Sequence, residues 1–252
     1  MVDVRVFGGP TALFEFGGLR FLTDPTFDGP GDYPLPRGDK LTKTAPSAIT
    51  VDELGPVDVV LLSHDQHPDN LDSSGREVAL GVPLTLTTKS GADRLAGAAR
   101  GVVRGLASWE AVELKRPAGG SLTVTAVPAL HGPEGSEPVV GEVTGFVLTG
   151  DGLPSVYVSG DNASLDRVGQ IADRFGPVDV AILFAGAVRP GMLDYALLTL
   201  DSAMAAEAAV MLGARQVVPV HYDSWAHFSE GREELVEAFE KAGITDRVSW
   251  GR

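Results

Sequence analysis

Two of the chain's five histidines lie three residues apart in the segment LLSHDQHPDN, residues 61–70. His64 and His67 follow a run of apolar residues, and Asp69 comes two residues after the second histidine. Neutral imidazole nitrogens and carboxylate oxygens are ligands that Zn, Mn and Fe take in sites without cysteine. The segment therefore indicates a metal site at the end of a buried strand.

Other residues that can bind a metal come at the ends of other apolar runs. His131 ends TVTAVPALH, Asp161 ends SVYVSGD and His221 ends VVPVH. In α/β folds the carboxyl ends of strands face a common crevice, so we expect these three side chains to meet the first two histidines there. Gly160 allows close backbone approach, which would let Asp161 reach between two ions.

The hydrophobic pattern predicts the elements that must position these residues. Strands are predicted over residues 2–7, 57–64, 83–88, 121–131, 178–184 and 216–222, with hairpins over 11–25 and 144–161. Helices are predicted just after residue 70 and over 90–100, 201–213 and 231–243, the second beginning at Ser90 and the third capped by Asp201. Residues 25–48 are rich in Pro, Gly and Asp, which predicts a long loop.

One pentapeptide occurs twice. GPVDVVLLSH (55–64) and GPVDVAILFAG (176–186) both begin with Gly-Pro-Val-Asp-Val and continue with apolar residues. Two similar β–α halves would explain the repeat. Convergence of two buried strands after similar turns explains it equally well.

Composition bounds the class of protein. The 252 residues suffice for one large α/β domain or two small ones. The net charge of −14, with 20 basic against 34 acidic residues and no basic patch, disfavours binding to nucleic acid or to anionic membranes. The chain has no cysteine, which fits a reducing compartment, and no secretory signal or membrane-length apolar run is visible. We expect a soluble cytoplasmic protein.

These segments together resemble the metallo-β-lactamase-fold hydrolases, in particular the branch of ascorbate-6-phosphate lactonase and N-acyl-phosphatidylethanolamine phospholipase D. PTALFEFGGLRFLTDPTFD resembles the family's opening hairpin and Thr-Asp-Pro turn, and LLSHDQHPDNLD its Ser/Thr-His-x-His-x-Asp-His signature. ALHGPEG, YVSGDNA and VPVHYDSWAHF resemble the segments with the third histidine, the bridging aspartate and the last histidine. The resemblance implies an α/β fold, an αββα sandwich of two similar halves, in a single domain over residues 1–252.

The resemblance also implies a set of ligands for one or two divalent ions, with Zn or Mn expected and Fe as an alternative. The first ion would take His64, His67 and His131. The second would take Asp69, His221 and the residue at the last signature position, Asn70, and Asp161 would bridge the two ions.

Two departures from the family signature bear on this set. Asp65 and Gln66 stand between the first two histidines where the family has one residue. Either the turn bulges and keeps both histidines, or Asp65 takes the first position and His64 moves outward. Asn70 replaces the family's last histidine, and because an amide oxygen is a weaker donor than imidazole, the second ion should bind loosely or be absent.

The chemistry that follows is metal-assisted hydrolysis. A metal-bound hydroxide would attack an ester-like bond of a small molecule, such as a lactone or phosphodiester, with Asp69 orienting the nucleophile and moving the proton. His227 would serve as an acid or substrate contact, or pack against Trp225 and Phe228. The alternative is a degenerate family member, with one weakly bound metal or none, that acts as a binding or scaffold protein.

Substrate choice would come from three loops, residues 25–48, 132–142 and 186–198. Arg189 and Lys40 either receive an anionic group of the substrate or are solvated surface charges. Asp24 either supports a ligand histidine from behind or merely starts the turn before Pro25.

Overall fold

The computed structural model describes residues 2–35 and 38–251, which form two six-stranded sheets, one small hairpin and surrounding helices. The strands are β1 (Val4–Val6), β2 (Ala12–Phe16), β3 (Leu19–Thr23), β4 (Gly31–Pro34), β5 (Lys40–Lys43), β6 (Val59–Leu61), β7 (Leu84–Thr88), β8 (Val102–Leu106), β9 (Ala111–Lys115), β10 (Ser121–Pro128), β11 (Thr144–Thr149), β12 (Val156–Val158), β13 (Val180–Phe184) and β14 (Gln216–Val220). The helices are α1 (Val51–Leu54), α2 (Ser73–Gly81), α3 (Lys89–Leu95), α4 (Glu137–Val140), α5 (Leu165–Phe175), α6 (Ser202–Met211) and α7 (Arg232–Lys241). None of these helices is both long and apolar enough to cross a membrane.

The two large sheets share one plan. The first has the order β1-β2-β3-β6-β7-β8, in which β1 to β3 are antiparallel and β6 to β8 continue parallel to β3. The second has the order β14-β13-β12-β11-β10-β9, in which β9 to β12 are antiparallel and β13 and β14 continue parallel to β12. The repeated pentapeptide precedes β6 and β13, which are the first parallel strands of their sheets. The prediction of two similar halves is confirmed.

Three apolar layers hold the sheets and helices together. The inward residues of both sheets, such as Phe21, Leu61, Phe146 and Ile182, form one core between them. Because side chains alternate along a strand, the opposite faces carry a second apolar set, and α1 to α3 cover it on the first sheet while α5 to α7 cover it on the second. Each large apolar side chain buried in this way contributes about 1.5–3 kcal/mol. The predicted αββα sandwich is therefore correct.

The predicted hairpin through Gly17 and Gly18 is present, with both glycines at positive φ in the turn between β2 and β3. Asp201 caps α6 as predicted, whereas α3 begins at Lys89 with Thr88, not Ser90, as its cap. Strands β8 and β9 and helix α5 were not predicted. The α5 helix nevertheless has a Ser164 cap that accepts a hydrogen bond from the Arg167 N–H and buries residues three apart, a signal the sequence contains.

The predicted loop over residues 25–48 is wrong in part, because it contains the antiparallel pair β4–β5; residues 36 and 37 lie outside the described residues. Polar contacts join the two strands of this hairpin, and Tyr33 packs against Trp225 with 5.4 Å between ring centroids. One aromatic contact does not give the strands an alternating apolar pattern, so hydrophobic periodicity does not reveal them. Asp32 on β4 accepts hydrogen bonds from Lys40 and Thr42 on β5, at 2.6 and 2.7 Å. At the other end of β5, the buried ammonium of Lys43 lies 3.2 Å from the buried carboxylate of Asp72, the N-cap of α2.

Candidate metal centre

Three histidines meet where the ends of the two sheets come together. His64 lies three residues beyond β6, and His131 lies three residues beyond β10 of the opposite sheet. The His64 Nε2 atom is 2.9 Å from His67 Nδ1, and the centroid of the His131 ring is 5.1 and 5.4 Å from the other two. One nitrogen from each ring lies within 4.8 Å of the others, so the three side chains could hold one ion.

The one additional residue between the first two histidines is accommodated by a bulged turn. His64 is fully buried within the cluster, while the Asp65 side chain forms a two-pronged ion pair with Arg94 of α3. The Arg94 Nε and Nη2 atoms donate to the two carboxylate oxygens of Asp65 at 2.9 and 2.6 Å. The alternative in which Asp65 takes the first ligand position and His64 moves outward is therefore wrong.

Hydrogen bonds orient two of the three imidazoles. The His131 Nδ1–H donates to the Leu198 carbonyl oxygen at 2.8 Å, which leaves Nε2 as the nitrogen with a free lone pair. Ser63 donates its hydroxyl proton to Asp24, so its oxygen accepts from the His64 Nδ1–H at 3.0 Å, and His64 Nε2 carries the lone pair that faces His67 Nδ1. The His131 Nε2 atom is buried and has no hydrogen-bond partner among the described residues.

Asp24 supports the cluster from behind, through Ser63 rather than by direct contact with a histidine. Its carboxylate accepts hydrogen bonds from the Ser63 N–H and hydroxyl, at 2.6 and 2.5 Å, and from the Asn70 amide at 3.0 Å. Burial raises the pKa of Asp24 to about 7 against the opposing effect of these hydrogen bonds. Of the two roles considered for Asp24, the supporting one fits this geometry.

A second group of site residues adjoins the histidine cluster. The His221 Nε2 atom is 3.3 Å from Asp69 Oδ2, and its Nδ1 is 3.5 Å from Asp161 Oδ1. His227 Nε2 contacts the same Asp69 oxygen at 2.9 Å. Asp69 Oδ1 and both nitrogens of His221 are buried without a hydrogen-bond partner in the part of the chain that the structure describes. The carboxylates of Asp69 and Asp161 thus face the imidazole of His221. The unpartnered oxygen and nitrogen atoms among them could bind a metal.

Burial and the neighbouring charges set the protonation of these groups. Burial and the adjacent imidazoles lower the pKa of His64 and His67, so both rings are neutral, as metal ligands must be. Burial would raise the pKa of Asp69, but His227 and His221 outweigh it and hold that pKa well below its usual range. Burial also opposes protonation of His221, yet the facing carboxylates of Asp161 and Asp69 raise its pKa.

Asn70 faces the carboxylates with its nitrogen. The Nδ2 atom donates to Asp161 Oδ1 and to Asp24 Oδ2, both at 3.0 Å, while the buried Oδ1 atom has no partner among the described residues. The opposite orientation would set the amide oxygen against two carboxylates, so the hydrogen-bond pattern fixes this one. The sequence predicted coordination through that oxygen, whereas the group that Asn70 directs at Asp161 is an N–H donor.

Unusual backbone conformations at Gly160 and His221 position the Asp161 carboxylate and the His221 imidazole, which face each other. Gly160 has φ 58°, and a Cβ atom on it would lie 2.6 Å from the Thr144 carbonyl oxygen and 2.7 Å from the Ser63 Cβ. His221 itself has φ 58°, a conformation that costs a non-glycine residue about 1–2 kcal/mol. Its N–H donates to the Gly9 carbonyl oxygen at 2.7 Å, which ties β14 to the loop after β1.

A cavity of about 420 Å³ opens above the cluster. Five site residues form its floor: His67, Asp69, His131, Asp161 and His227. Its walls come from the three segments expected to select the substrate, around Leu35 and Leu41, around Val139 and Val140, and from Val188 to Leu198. His227 both lines this cavity and packs against Phe228 and Trp225, with ring centroids 4.6 and 6.0 Å away.

The structure brings the expected metal ligands together in two adjoining groups. It also shows residues near them that the sequence does not single out. Arg94 and the Leu198 carbonyl hold the turn and the third imidazole, but neither stands near the motif in sequence. Lys40 and Arg189 line the cavity, although each is paired with an acid, Asp32 at 2.6 Å and Asp201 at 3.4 Å. No sequence pattern predicts these contacts, because they depend on how separate helices, strands and loops pack.

Comparison with known proteins places this site in a family. A family model described as "Beta-lactamase superfamily domain" matches residues 19–222. A metal-dependent hydrolase from Pyrococcus abyssi is 26% identical over 236 residues, which cover 93% of this chain and 91% of the relative. A metal-dependent hydrolase from Methanosphaerula palustris is 33% identical over 133 residues, 49% of this chain and 56% of the relative's length.

Solved structures agree on the fold. The isothiocyanate hydrolase from Delia radicum gut bacteria superposes with a TM-score of 0.80 at 21% identity, covering 98% of this chain and 94% of that protein. At this identity the likeness concerns the fold alone. The narrower resemblance to the lactonase and phospholipase D branch stays a prediction.

Proposed function

The chain belongs to the beta-lactamase superfamily, and on that premise we propose that it is a metal-dependent hydrolase that cleaves an ester-like bond of a small molecule. One observation carries the proposal. Three imidazoles from two sheets bring one nitrogen each to within 4.8 Å of the others beside a cavity, and the His131 Nε2 atom there is buried without a hydrogen-bond partner among the described residues. A buried nitrogen without a hydrogen-bond partner calls for a ligand, and a cation bound between the three rings would supply one.

The donor atoms fit a divalent metal, with Zn or Mn preferred for three imidazoles and Fe as the alternative. His64, His67 and His131 would hold it. A cation at this position lowers the pKa of a coordinated water and polarises the bond under attack. The protein supplies the rest of the chemistry through groups that bind, orient and carry protons.

Asp69 and His227 are the residues to which we assign proton transfer. Both line the cavity, and their 2.9 Å contact lets a proton pass between a carboxylate and an imidazole. Asp69 stays ionised because His227 and His221 lower its pKa, so it can accept a hydrogen bond from the attacking water and orient it. His227 can then pass a proton to the leaving group. His221 contacts Asp69 with Nε2, at 3.3 Å, and faces Asp161 with its other nitrogen.

We further propose that one ion binds tightly and that a second binds weakly or not at all. The Asn70 amide donates to both Asp24 and Asp161, so those carboxylates already have a positive partner. A second ion bridged by Asp161 would have to compete with this hydrogen bond. The same observation favours the second candidate function, a degenerate member that serves as a binding or scaffold protein.

The experiment combines metal analysis with hydrolysis. The protein is purified without chelator, its metal content is measured by mass spectrometry, and turnover is assayed on a neutral aryl ester, an aryl phosphodiester and an aryl isothiocyanate, the last because of the structural relative's name. We expect close to one transition metal per chain and hydrolysis of the ester. A protein that retains no metal after reconstitution and hydrolyses none of the three would support the scaffold function instead.

Asp161→Ala and a matched surface variant sharpen this test. Asp161→Ala removes the carboxylate that faces His221 and Asn70, so metal content and turnover should both fall. Asp151→Ala, in the exposed turn between β11 and β12, should change neither. If Asp161→Ala hydrolyses the ester as fast as the parent, the assignment of this carboxylate to the metal centre is wrong.

A further inference from the structure

The walls of the cavity above the histidine cluster are mainly apolar. Side chains from three separate segments contribute: Leu35 and Leu41, Val139 and Val140, and Val188 and Met192. They adjoin the imidazoles and carboxylates of the site, so the cavity is most polar at that end and mainly apolar along these three segments. A ligand that fits both surfaces has a hydrolysable polar group at one end and an apolar group beside it.

Two of these wall residues are unusually exposed for their type. The described part of the chain has seven large apolar side chains classed as exposed, among them Met192 at 53% and Val139 at 37%. These two face the cavity from opposite segments, and Tyr195, at 69%, belongs to the same segment as Met192. Apolar side chains left in water around a concave opening mark a surface that a ligand covers.

The charges around the cavity do not favour an anion. The ammonium of Lys40 and the guanidinium of Arg189 are each neutralised by an acid outside the cavity. The carboxylates of Asp39 and Glu137 line its rim, those of Asp69 and Asp161 its floor. The chain as a whole carries a net charge of −14. A phosphate or carboxylate group placed away from the metal position, on the outer part of a substrate, would therefore meet negative potential.

We infer that the substrate is an uncharged ester-like compound with an alkyl or aryl group that packs between Val139 and Met192. The inference rests on the proposed function and favours the second of the two roles considered for Lys40 and Arg189, that of solvated surface charges. In the reaction, the oxygen of water joins the acyl carbon, the acyl C–O bond breaks, and a proton passes to the departing alkoxide. The products are a carboxylic acid and an alcohol, and the apolar group stays with the acyl part.

Binding of hydroxamic acids tests the inference without turnover. Their headgroup chelates a divalent metal, and their alkyl chain can be lengthened one methylene at a time. With the zinc-loaded protein, Kd should tighten about fourfold for each methylene that the walls cover, from acetohydroxamic to hexanohydroxamic acid. An affinity that stays constant along the series overturns the inference, whatever the protein hydrolyses.

Two matched variants locate the effect. Met192→Lys places a charge on the apolar wall and should reduce the gain in affinity between the two-carbon and six-carbon acids about tenfold. Met211→Lys alters an exposed methionine on α6 that does not line the cavity and should leave the gain unchanged. Equal effects of the two variants would show that the alkyl chain does not contact Met192.

Turnover separates this inference from the proposed function. The parent should hydrolyse aryl hexanoates with a higher kcat/KM than aryl acetates, and an anionic aryl phosphodiester more slowly than either. Faster turnover of the phosphodiester would overturn the inference while the hydrolase function stands. Chain-length-dependent binding with no turnover of any ester would support the apolar ligand and refute the ester hydrolase.

Discussion

The substitution Asn70→Asp tests most directly whether the Asn70 amide nitrogen faces the carboxylates of Asp24 and Asp161. The parent amide donates two hydrogen bonds of 3.0 Å, one to the buried carboxylate of Asp24 and one to that of Asp161. The substitution keeps the size of the side chain, removes both N–H donors and sets a third carboxylate against the first two. Among the described residues, the imidazoles of His221 and His131 approach Asp161 at 3.5 and 3.8 Å, and both are present in parent and variant alike.

The expected loss of stability follows from the contacts removed. A hydrogen bond to a charged group contributes about 1.5–3 kcal/mol, so losing both costs about 3–6 kcal/mol before any repulsion is counted. This is a large share of the roughly 5–15 kcal/mol that stabilises an ordinary domain. The loss should be greatest above the pKa of Asp24, which burial raises to about 7, because Asp24 is then ionised.

The assay is urea unfolding of metal-free protein, repeated with saturating Zn or Mn. Asn162→Asp is the matched control, since Asn162 is equally buried but its amide donates only to the Ser164 carbonyl, at 3.0 Å. The control should lose about 1 kcal/mol, the value of one neutral hydrogen bond. Added metal should restore more stability to Asn70→Asp than to the parent, because a third carboxylate attracts a second ion.

The reasoning is refuted if the two variants lose the same free energy of unfolding in the absence of metal. It is also refuted if Asn70→Asp is more stable than the parent without metal, which would mean that the amide nitrogen does not face the carboxylates. A gain in metal content without loss of metal-free stability would instead identify the Asn70 oxygen as a ligand.

Three further predictions concern other parts of the site. Zinc at about 100 times its Kd should raise the free energy of unfolding by about 2.7 kcal/mol, and His131→Ala should abolish most of this gain in a thermal-shift titration. Because Asp24 has a higher pKa folded than unfolded, metal-free protein should lose stability as pH rises from about 4 to about 7, and urea unfolding of Asp24→Asn should show a shallower pH slope. Gly160→Ala should cost about 2–4 kcal/mol in calorimetry, since its Cβ would meet the Thr144 carbonyl oxygen at 2.6 Å, whereas Gly97→Ala, with nothing near, should cost little. Equal losses for the two glycine variants would contradict the close packing at Asp161.

The donor set could be predicted because each of its members stands just beyond an apolar run. His131 and Asp161 follow strands whose inward residues bury in one core, and a buried strand leaves a distinct hydrophobic signal. The sandwich fold followed from the same runs and from the repeated pentapeptide. In both cases the information is local along the chain.

What could not be predicted depends on contacts between distant elements. Whether His64 or Asp65 enters the site is decided by Arg94, 29 residues further on. The direction of the Asn70 amide is decided by Asp24 and Asp161, which approach it from opposite sides in sequence. Lys40 looks like a free cation until the hairpin places Asp32 beside it. Side-chain pairing of this kind has no periodicity, so pattern alone does not reveal it.

The buried pair of Lys43 and Asp72 fastens the base of the β4–β5 hairpin to the N-terminus of α2. Lys43 closes the base of the β4–β5 hairpin, with its ammonium also 3.3 Å from the Thr26 carbonyl oxygen, while Leu35 and Leu41 nearer the tip line the cavity. The base is thus fastened to the scaffold independently of the tip. We expect substitutions of Leu35 and Leu41 to alter the wall of the cavity without loosening the α2 cap, so that this hairpin would be a place where substrate preference can change.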